Sequence, residues 1–109
     1  MNNDETLLSV LSEAAKANVT GIYPLAEMRK MLVIGISELA SSETDDEALT
    51  NYLAVAVILV AIANEPDFAD QGDATTIENL AMLWFKLEDA RLKKKFTEAD
   101  MITKAKQIS

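Results

Sequence analysis

The sequence predicts an all-α protein: a compact bundle of four to five helices with one central apolar helix. Glycine and proline are scarce, at 3 and 2 residues in 109, whereas a sheet protein of this length needs many turns. Apolar side chains recur at helical spacing along most of the chain. Three segments also begin with a threonine followed three residues later by an acidic residue, which is the capping pattern of a helix start.

The first two helices are predicted to be amphipathic. The first covers about residues 5–17, with Asp4 or Asn3 as its cap, and Gly21 lies beyond its end. The second begins at Pro24, because the fixed φ angle and missing N–H of proline suit the first position of a helix. Its apolar stripe continues to about Ala40.

The third helix, about residues 45–64, is predicted to be the centre of the bundle. Thr44 and Glu47 form a capping pattern at its start, and Pro66 prevents continuation beyond its end. From Tyr52 to Ala63 there is no charged or amide side chain. A helix that is apolar on all sides needs cover on most of them.

Two further helices are predicted after an acidic loop. The fourth opens at Thr75 and extends to about Lys95, and the fifth covers about residues 98–108. The predicted core stripe of the fourth helix consists of Ile77, Leu80, Ala81, Trp84 and Leu87.

Composition limits the possible functions. The length of 109 residues fits a single domain, residues 1–109, and half of these residues are hydrophobic, as in globular proteins. The chain has neither cysteine nor histidine, so it lacks thiolate chemistry and the usual neutral-pH base and zinc ligand. We therefore expect no enzyme activity, no catalytic residue, no cofactor and no metal site.

The acidic loop before the fourth helix resembles a calcium-binding loop only in part. Counting Asp67 as position 1 places Gly72 at position 6 and Glu78 at position 12, as that motif requires. Positions 3 and 5 should be oxygen ligands, but they are Ala69 and Gln71. The sequence favours a solvated loop, with a weak Ca²⁺ or Mg²⁺ contact as the alternative.

The net charge is −8 and is unevenly distributed. Residues 1–85 carry 14 acidic and 3 basic side chains, whereas residues 86–109 carry 4 acidic and 7 basic ones. The acidic part repels nucleic acids and anionic membranes, so we expect no direct binding to either. The longest apolar run is too short to span a bilayer, and the N-terminus lacks the basic residues of a secretory signal. A cytoplasmic location is expected.

A second apolar stripe predicts protein interaction. On the fourth helix it lies on a different face from the core stripe, and Ile34 has a similar position on the second helix. One chain could wrap around both faces, but large apolar side chains on two faces favour a partner. We expect a homodimer or a small subunit or regulator of a larger complex. The candidate interface residues are Ile34, Met82, Phe85, Leu92 and Phe96.

An acidic inhibitor is the alternative interpretation. Small helical proteins with many carboxylates can occupy a basic, nucleic-acid-binding groove of a partner, as some phage-encoded antagonists do, and a phage or mobile-element origin would fit. The candidate acidic patch consists of Asp45, Asp46, Glu47, Asp67, Asp70 and Asp73. The lysines at 93–95 stabilise a helix C-terminus or dock onto the acidic face of a second copy.

Overall fold

Apolar stretches fold into five α-helices within the described part of the chain. The computed structural model describes residues 6–65 and 74–108, with the side chains of residues 74–77 outside this description. The helices are α1 (Leu7–Asn18), α2 (Leu25–Ala40), α3 (Asp45–Ala63), α4 (Ala74–Leu92) and α5 (Glu98–Ile108). The predicted all-α bundle of four to five helices is confirmed.

Threonine caps set three of the helix starts. Thr44 Oγ1 accepts a hydrogen bond from the backbone N–H of Glu47 at 3.1 Å, as the sequence predicts for α3. At α5, Thr97 and Asp100 form a reciprocal capping box with N–O distances of 3.0 and 3.2 Å. At α1 the cap is Thr6, which exchanges hydrogen bonds with Ser9. The predicted cap at Asp4 or Asn3 is therefore wrong. The capping box of Thr6 was missed because its third helical position is a serine and not the usual acidic residue.

The α3 helix lies at the centre of the bundle, as predicted. It packs against α1, α2, α4 and α5, while α2 packs beside α4 and α1 beside α5. Its buried side chains are Ala48, Leu49, Tyr52, Leu53, Val55, Ala56, Val57, Ile58, Ala61 and Ile62. By length and composition α3 could cross a membrane, but half of it is buried by the other helices, as in the core helix of a soluble protein.

A glycine lets α2 approach α3 closely. A Cβ atom added at Gly35 would lie 3.0 Å from Cγ2 of Val55, a residue with no exposed surface. Leu32 and Leu39, on the neighbouring turns of α2, are also buried. The absent side chain therefore allows the two helices to pack closely at this level of the core.

The α4 helix is rotated about its axis relative to the prediction. Leu80 and Leu87, predicted to face the core, are 48% and 55% exposed, whereas Ala81 and Leu92 are fully buried. The Phe85 ring packs on the core, with its centroid 4.3 Å from that of Tyr52. The prediction for Leu80 and Leu87 is wrong because the buried face includes Glu88, whose charge made that face look polar in the sequence.

Candidate protein-interaction surface

An exposed row of leucines lies along the outer side of α4. Leu80, Leu83 and Leu87 are spaced by three and four residues, so they lie on one side of the helix. They are 48%, 55% and 55% exposed. The neighbouring Trp84 is half-buried and packs against the core. This spacing is also that of the apolar positions with which one helix packs along another.

The neighbouring helix α2 adds two more apolar side chains. Val33 and Ile34 are 50% and 59% exposed. They line a shallow depression of about 570 Å³, to which Ala26 and Lys30 also contribute. Five of the exposed apolar side chains on these two neighbouring helices are called here the outer surface: Val33, Ile34, Leu80, Leu83 and Leu87.

Burying the outer surface would release a substantial free energy. Complete burial of a large aliphatic side chain contributes about 1.5–3 kcal/mol, and about half of each of these five remains exposed. One outer surface could therefore contribute roughly 4–7 kcal/mol, and two facing surfaces roughly twice as much. That sum is comparable to the ~4–15 kcal/mol lost when two molecules lose their independent motion. Association is therefore energetically accessible.

Charged side chains lie beside the apolar rows on both helices. On α4, Lys86 is exposed, and Lys94 is exposed just beyond the end of the helix. On α2, Glu27 and Glu38 lie seven residues before and four residues after Ile34, and are therefore on its side of the helix. Glu27 forms an exposed ion pair with Lys30, in which Oε1 and Nζ are 3.8 Å apart. The edge of the outer surface on α4 is thus basic, whereas the edge on α2 carries two carboxylates, one of which is paired with Lys30.

The predicted interface residues lie in different parts of the structure and differ in exposure. Ile34 is exposed and belongs to the outer surface. Met82 is 41% exposed but lines a groove on the other side of α4. Phe85 and Phe96 are half-buried and pack against the core. Leu92 has no exposed surface, so its assignment to an interface is wrong: it lies seven residues after Phe85, on the buried face of α4.

Sequence reasoning missed four members of the outer surface. Leu80 and Leu87 were assigned to the core, and Leu83 and Val33 were not identified as interface residues. Leu80, Leu83 and Leu87 do show the regular spacing of a helix-packing row. A second signal was available at Glu88 and Arg91, because their three-residue spacing permits an ion pair that neutralises a carboxylate on the buried face.

Two smaller apolar depressions lie elsewhere on the bundle. A groove of about 250 Å³ separates α1 from α4 over the end of α3, with Leu8, Leu59 and Met82 among its lining residues. A second, of about 270 Å³, lies where Tyr23 and Ile108 approach α3. Both are smaller than the typical pocket for a drug-sized ligand.

The acidic start of α3 is paired with the basic end of the same chain. Asp45 forms ion pairs with Arg91 at 3.2 Å and with Lys95 at 3.1 Å, and Asp46 with Lys104 at 3.1 Å. The Lys95 ammonium and the Arg91 guanidinium hold the pKa of the Asp45 carboxyl below its usual value of 3.8. We call Asp45, Asp46, Arg91, Lys95 and Lys104 the charged junction. It joins the start of α3 to the end of α4 and to α5.

A second polar contact lies beside the charged junction. The Tyr52 hydroxyl donates a hydrogen bond to Oδ1 of Asp89 at 3.0 Å, and Asp89 also pairs with Lys93 at 2.9 Å. Burial of the Tyr52 ring raises the pKa of its hydroxyl, and the Asp89 carboxylate raises it further. Tyr52 therefore remains a neutral donor that ties α3 to α4.

These ion pairs weigh against a continuous acidic patch. Asp45 and Asp46 are compensated by cations of their own chain, whereas Glu47 is exposed. The other members of the proposed patch, Asp67, Asp70 and Asp73, lie outside the described residues. The acidic side chains of the described α3 start therefore do not favour mimicry of nucleic acid.

The candidate calcium loop also lies outside the described residues, apart from Glu78. Within residues 6–65 and 74–108, no group of three acidic side chains lies close enough together to hold a metal ion.

Comparison with known proteins adds no relative. No protein-family model, no curated protein and no solved structure matches this chain. Function is therefore inferred from side-chain chemistry and geometry.

Proposed function

We propose that this protein is a non-catalytic, cytoplasmic interaction module, which acts as a homodimer or as a small subunit or regulator of a larger complex. Its binding surface is the outer surface formed by α2 and α4. The observation that carries this proposal is the uncovered row of Leu80, Leu83 and Leu87 on a helix whose opposite face already fills the core. A row of this kind loses contact with water only when another molecule covers it.

The chemistry of the chain supports binding rather than catalysis. Histidine and cysteine are absent from the whole sequence. Apart from Glu88, the carboxylates that form ion pairs lie in exposed or half-exposed positions, and those of Asp45 and Asp46 join α3 to the end of α4 and to α5. Glu88 is buried, but it pairs with Arg91 at 3.0 Å, so its charge is compensated locally. These paired carboxylates have a structural role in this account.

The surface itself favours a helix as the bound element. Rows of large apolar side chains on two adjacent helices leave a groove between them, and an amphipathic helix can place its apolar side chains there. Charged residues along the edges of such a groove select partners and fix their orientation more than they add affinity.

The test is affinity capture with matched variants. The wild type and the triple variant Leu80→Gln, Leu83→Gln, Leu87→Gln are immobilised, and Leu8→Gln is the control, because Leu8 is 65% exposed on α1, outside the outer surface. We expect the wild type and the control to bind a protein, either this chain itself or another, that the triple variant fails to bind. Equal binding by all three would contradict the proposed function.

A further inference from the structure

We infer that a second copy of this chain covers the outer surface. In this dimer α4 of each copy lies against α2 of the other copy, which we call the crossed arrangement. This inference rests on the proposed function, because it names the partner of the same surface. Three features carry it: the adjacency of α2 and α4, the opposite charges beside their apolar rows, and the size of the area they present.

The adjacency of the two helices permits a closed dimer. The α2 and α4 helices pack beside each other; α4 has an exposed leucine row, and α2 has two exposed apolar side chains. A two-fold axis that runs between them, in the plane of the outer surface, brings each helix against the other helix of the second copy. Every contact then occurs twice and no apolar row is left over, so the assembly stops at two copies.

The charges select this crossed arrangement over the other two-fold arrangement. If α4 faced α4, the lysine-bearing edges of the two copies would face each other. If α2 faced α2, the two copies of α2 would run antiparallel, so the carboxylates of Glu27 and Glu38 would face those of the second copy. In the crossed arrangement, the basic edge of α4 meets the carboxylate-bearing edge of α2. Like charges are thereby kept apart and opposite charges are paired.

Within residues 6–65 and 74–108, the side chains needed for these pairs have no ion-pair partner. Lys86, Lys94 and Glu38 form no ion pair in the described part of the protein. The basic residues of the charged junction are, by contrast, already paired with acidic residues of the same chain. Among the described residues, the two lysines beside α4 and the Glu38 carboxylate on α2 are therefore left to pair with a second copy.

The area is sufficient for a specific dimer. With 16 residues in α2 and 19 in α4, the helices are about 24 and 28 Å long. Two helices of ~10–12 Å diameter lying side by side cover a flat area of roughly 500–650 Å² on each copy. The two copies together then reach roughly 1,000–1,300 Å², the lower range of stable protein interfaces.

Disulfide trapping tests the arrangement directly, because the natural chain has no cysteine. Glu38→Cys and Lys86→Cys are prepared as single variants, mixed in equal amounts and oxidised. We expect cross-links between positions 38 and 86 to exceed both 38–38 and 86–86 cross-links by about tenfold, since a disulfide requires Cα atoms within ~7 Å. Lys16→Cys on α1 is the control and should cross-link with neither variant.

Charge exchange supplies a second, independent readout. Lys86→Glu and Glu38→Lys should each weaken the dimer by roughly 3- to 30-fold in sedimentation equilibrium, since each pair occurs twice. The chain that carries both Lys86→Glu and Glu38→Lys should regain most of the lost dimer affinity, because the two positions again have opposite charges. Lys16→Glu changes the net charge by the same amount on α1 and should have no such effect.

The outcomes separate this inference from the proposed function. A dominant 38–86 cross-link and rescue by the double variant support the inference. A dimer that forms mainly 86–86 or 38–38 cross-links would overturn the crossed arrangement. A wild type that is monomeric at about 100 μM would overturn the second copy as partner. In that case, capture of another protein that depends on Leu80, Leu83 and Leu87 would leave the proposed function standing, and its absence would end both.

Discussion

The α3 and α4 helices have the same length, but the rest of the chain covers them to different extents. Each has 19 residues and large apolar side chains on more than one face. The α3 helix is surrounded by four other helices, so its apolar faces are covered by the chain itself. The α4 helix packs with one face against the bundle and leaves a leucine row in water. Apolar faces on several sides of a helix predict that these faces are buried. They do not predict whether the same chain or a partner buries them.

This comparison distinguishes leucines that stabilise the fold from leucines that are free to stabilise an assembly. Leu53 on α3 has no exposed surface, whereas Leu83 on α4 is 55% exposed. The two side chains have the same chemistry, so any difference in their energetic role comes from their surroundings. Four measurements can break or sharpen the comparison.

The largest expected effect comes from the centre of α3. Leu53→Ala should lower the free energy of unfolding by about 2–5 kcal/mol, because it opens a cavity between α3 and its neighbours. Leu83→Ala is the matched control and should lower it by less than ~1 kcal/mol in dilute protein. Urea denaturation followed by circular dichroism measures both. Equal losses would show that the outer leucine belongs to the core.

The two faces of α4 can be compared within one helix. Leu92→Ala should lower the free energy of unfolding by about 2–4 kcal/mol, because Leu92 is fully buried. Leu87→Ala, on the outer side of the same helix, should change it by less than ~1 kcal/mol. A larger loss for Leu87→Ala than for Leu92→Ala would mean that α4 is rotated back toward the orientation expected from its pattern.

A smaller effect is expected where α2 meets α3. Alanine favours a helix over glycine by about 1 kcal/mol, but a Cβ at position 35 would lie only 3.0 Å from Cγ2 of Val55. Because Val55 is fully buried and cannot move aside freely, Gly35→Ala should be destabilising by about 1 kcal/mol net. Ser37→Ala, exposed on the same helix, should stabilise slightly. A gain of stability for Gly35→Ala would show that this contact relaxes.

The smallest effect concerns the charged junction. The pKa of Asp45 is lower in the folded chain than its ordinary 3.8, so its ion pairs stabilise the fold above that pH and are lost as the pH falls through the folded value. Asp45→Asn should therefore unfold at slightly lower urea than the wild type at pH 7. The difference should shrink as the pH falls through the folded value, because the wild-type carboxyl then becomes protonated. A difference that does not shrink as the pH is lowered would contradict this role.

The sequence was sufficient to predict the bundle and its central helix. Thr44, Thr97 and the absence of charged or amide side chains from Tyr52 to Ala63 are local signals, and local signals determine helix starts and the most apolar helix. The fifth helix was placed at its observed residues for the same reason.

The orientation of α4 was not predictable from its pattern alone. Two apolar rows of similar size compete on this helix, and the decision depends on its neighbours. The Tyr52 ring provides a contact for Phe85, and Arg91 compensates the charge of buried Glu88. Both depend on the three-dimensional arrangement of α3 and α4. Ile34 is consequently exposed, whereas Leu92 is fully buried, although the same argument placed both in the candidate interface.

The melting temperature as a function of protein concentration tests the central claim most directly. If the outer leucines stabilise a dimer, the melting temperature of the wild type rises by several degrees between about 1 and 100 μM, because association is favoured by mass action. The triple glutamine variant at 80, 83 and 87 should show no rise and should match the wild type at the lowest concentration. The claim would be contradicted if the wild-type melting temperature did not rise and the variant melted well below the wild type at every concentration. The three leucines would then stabilise the single chain and not a dimer.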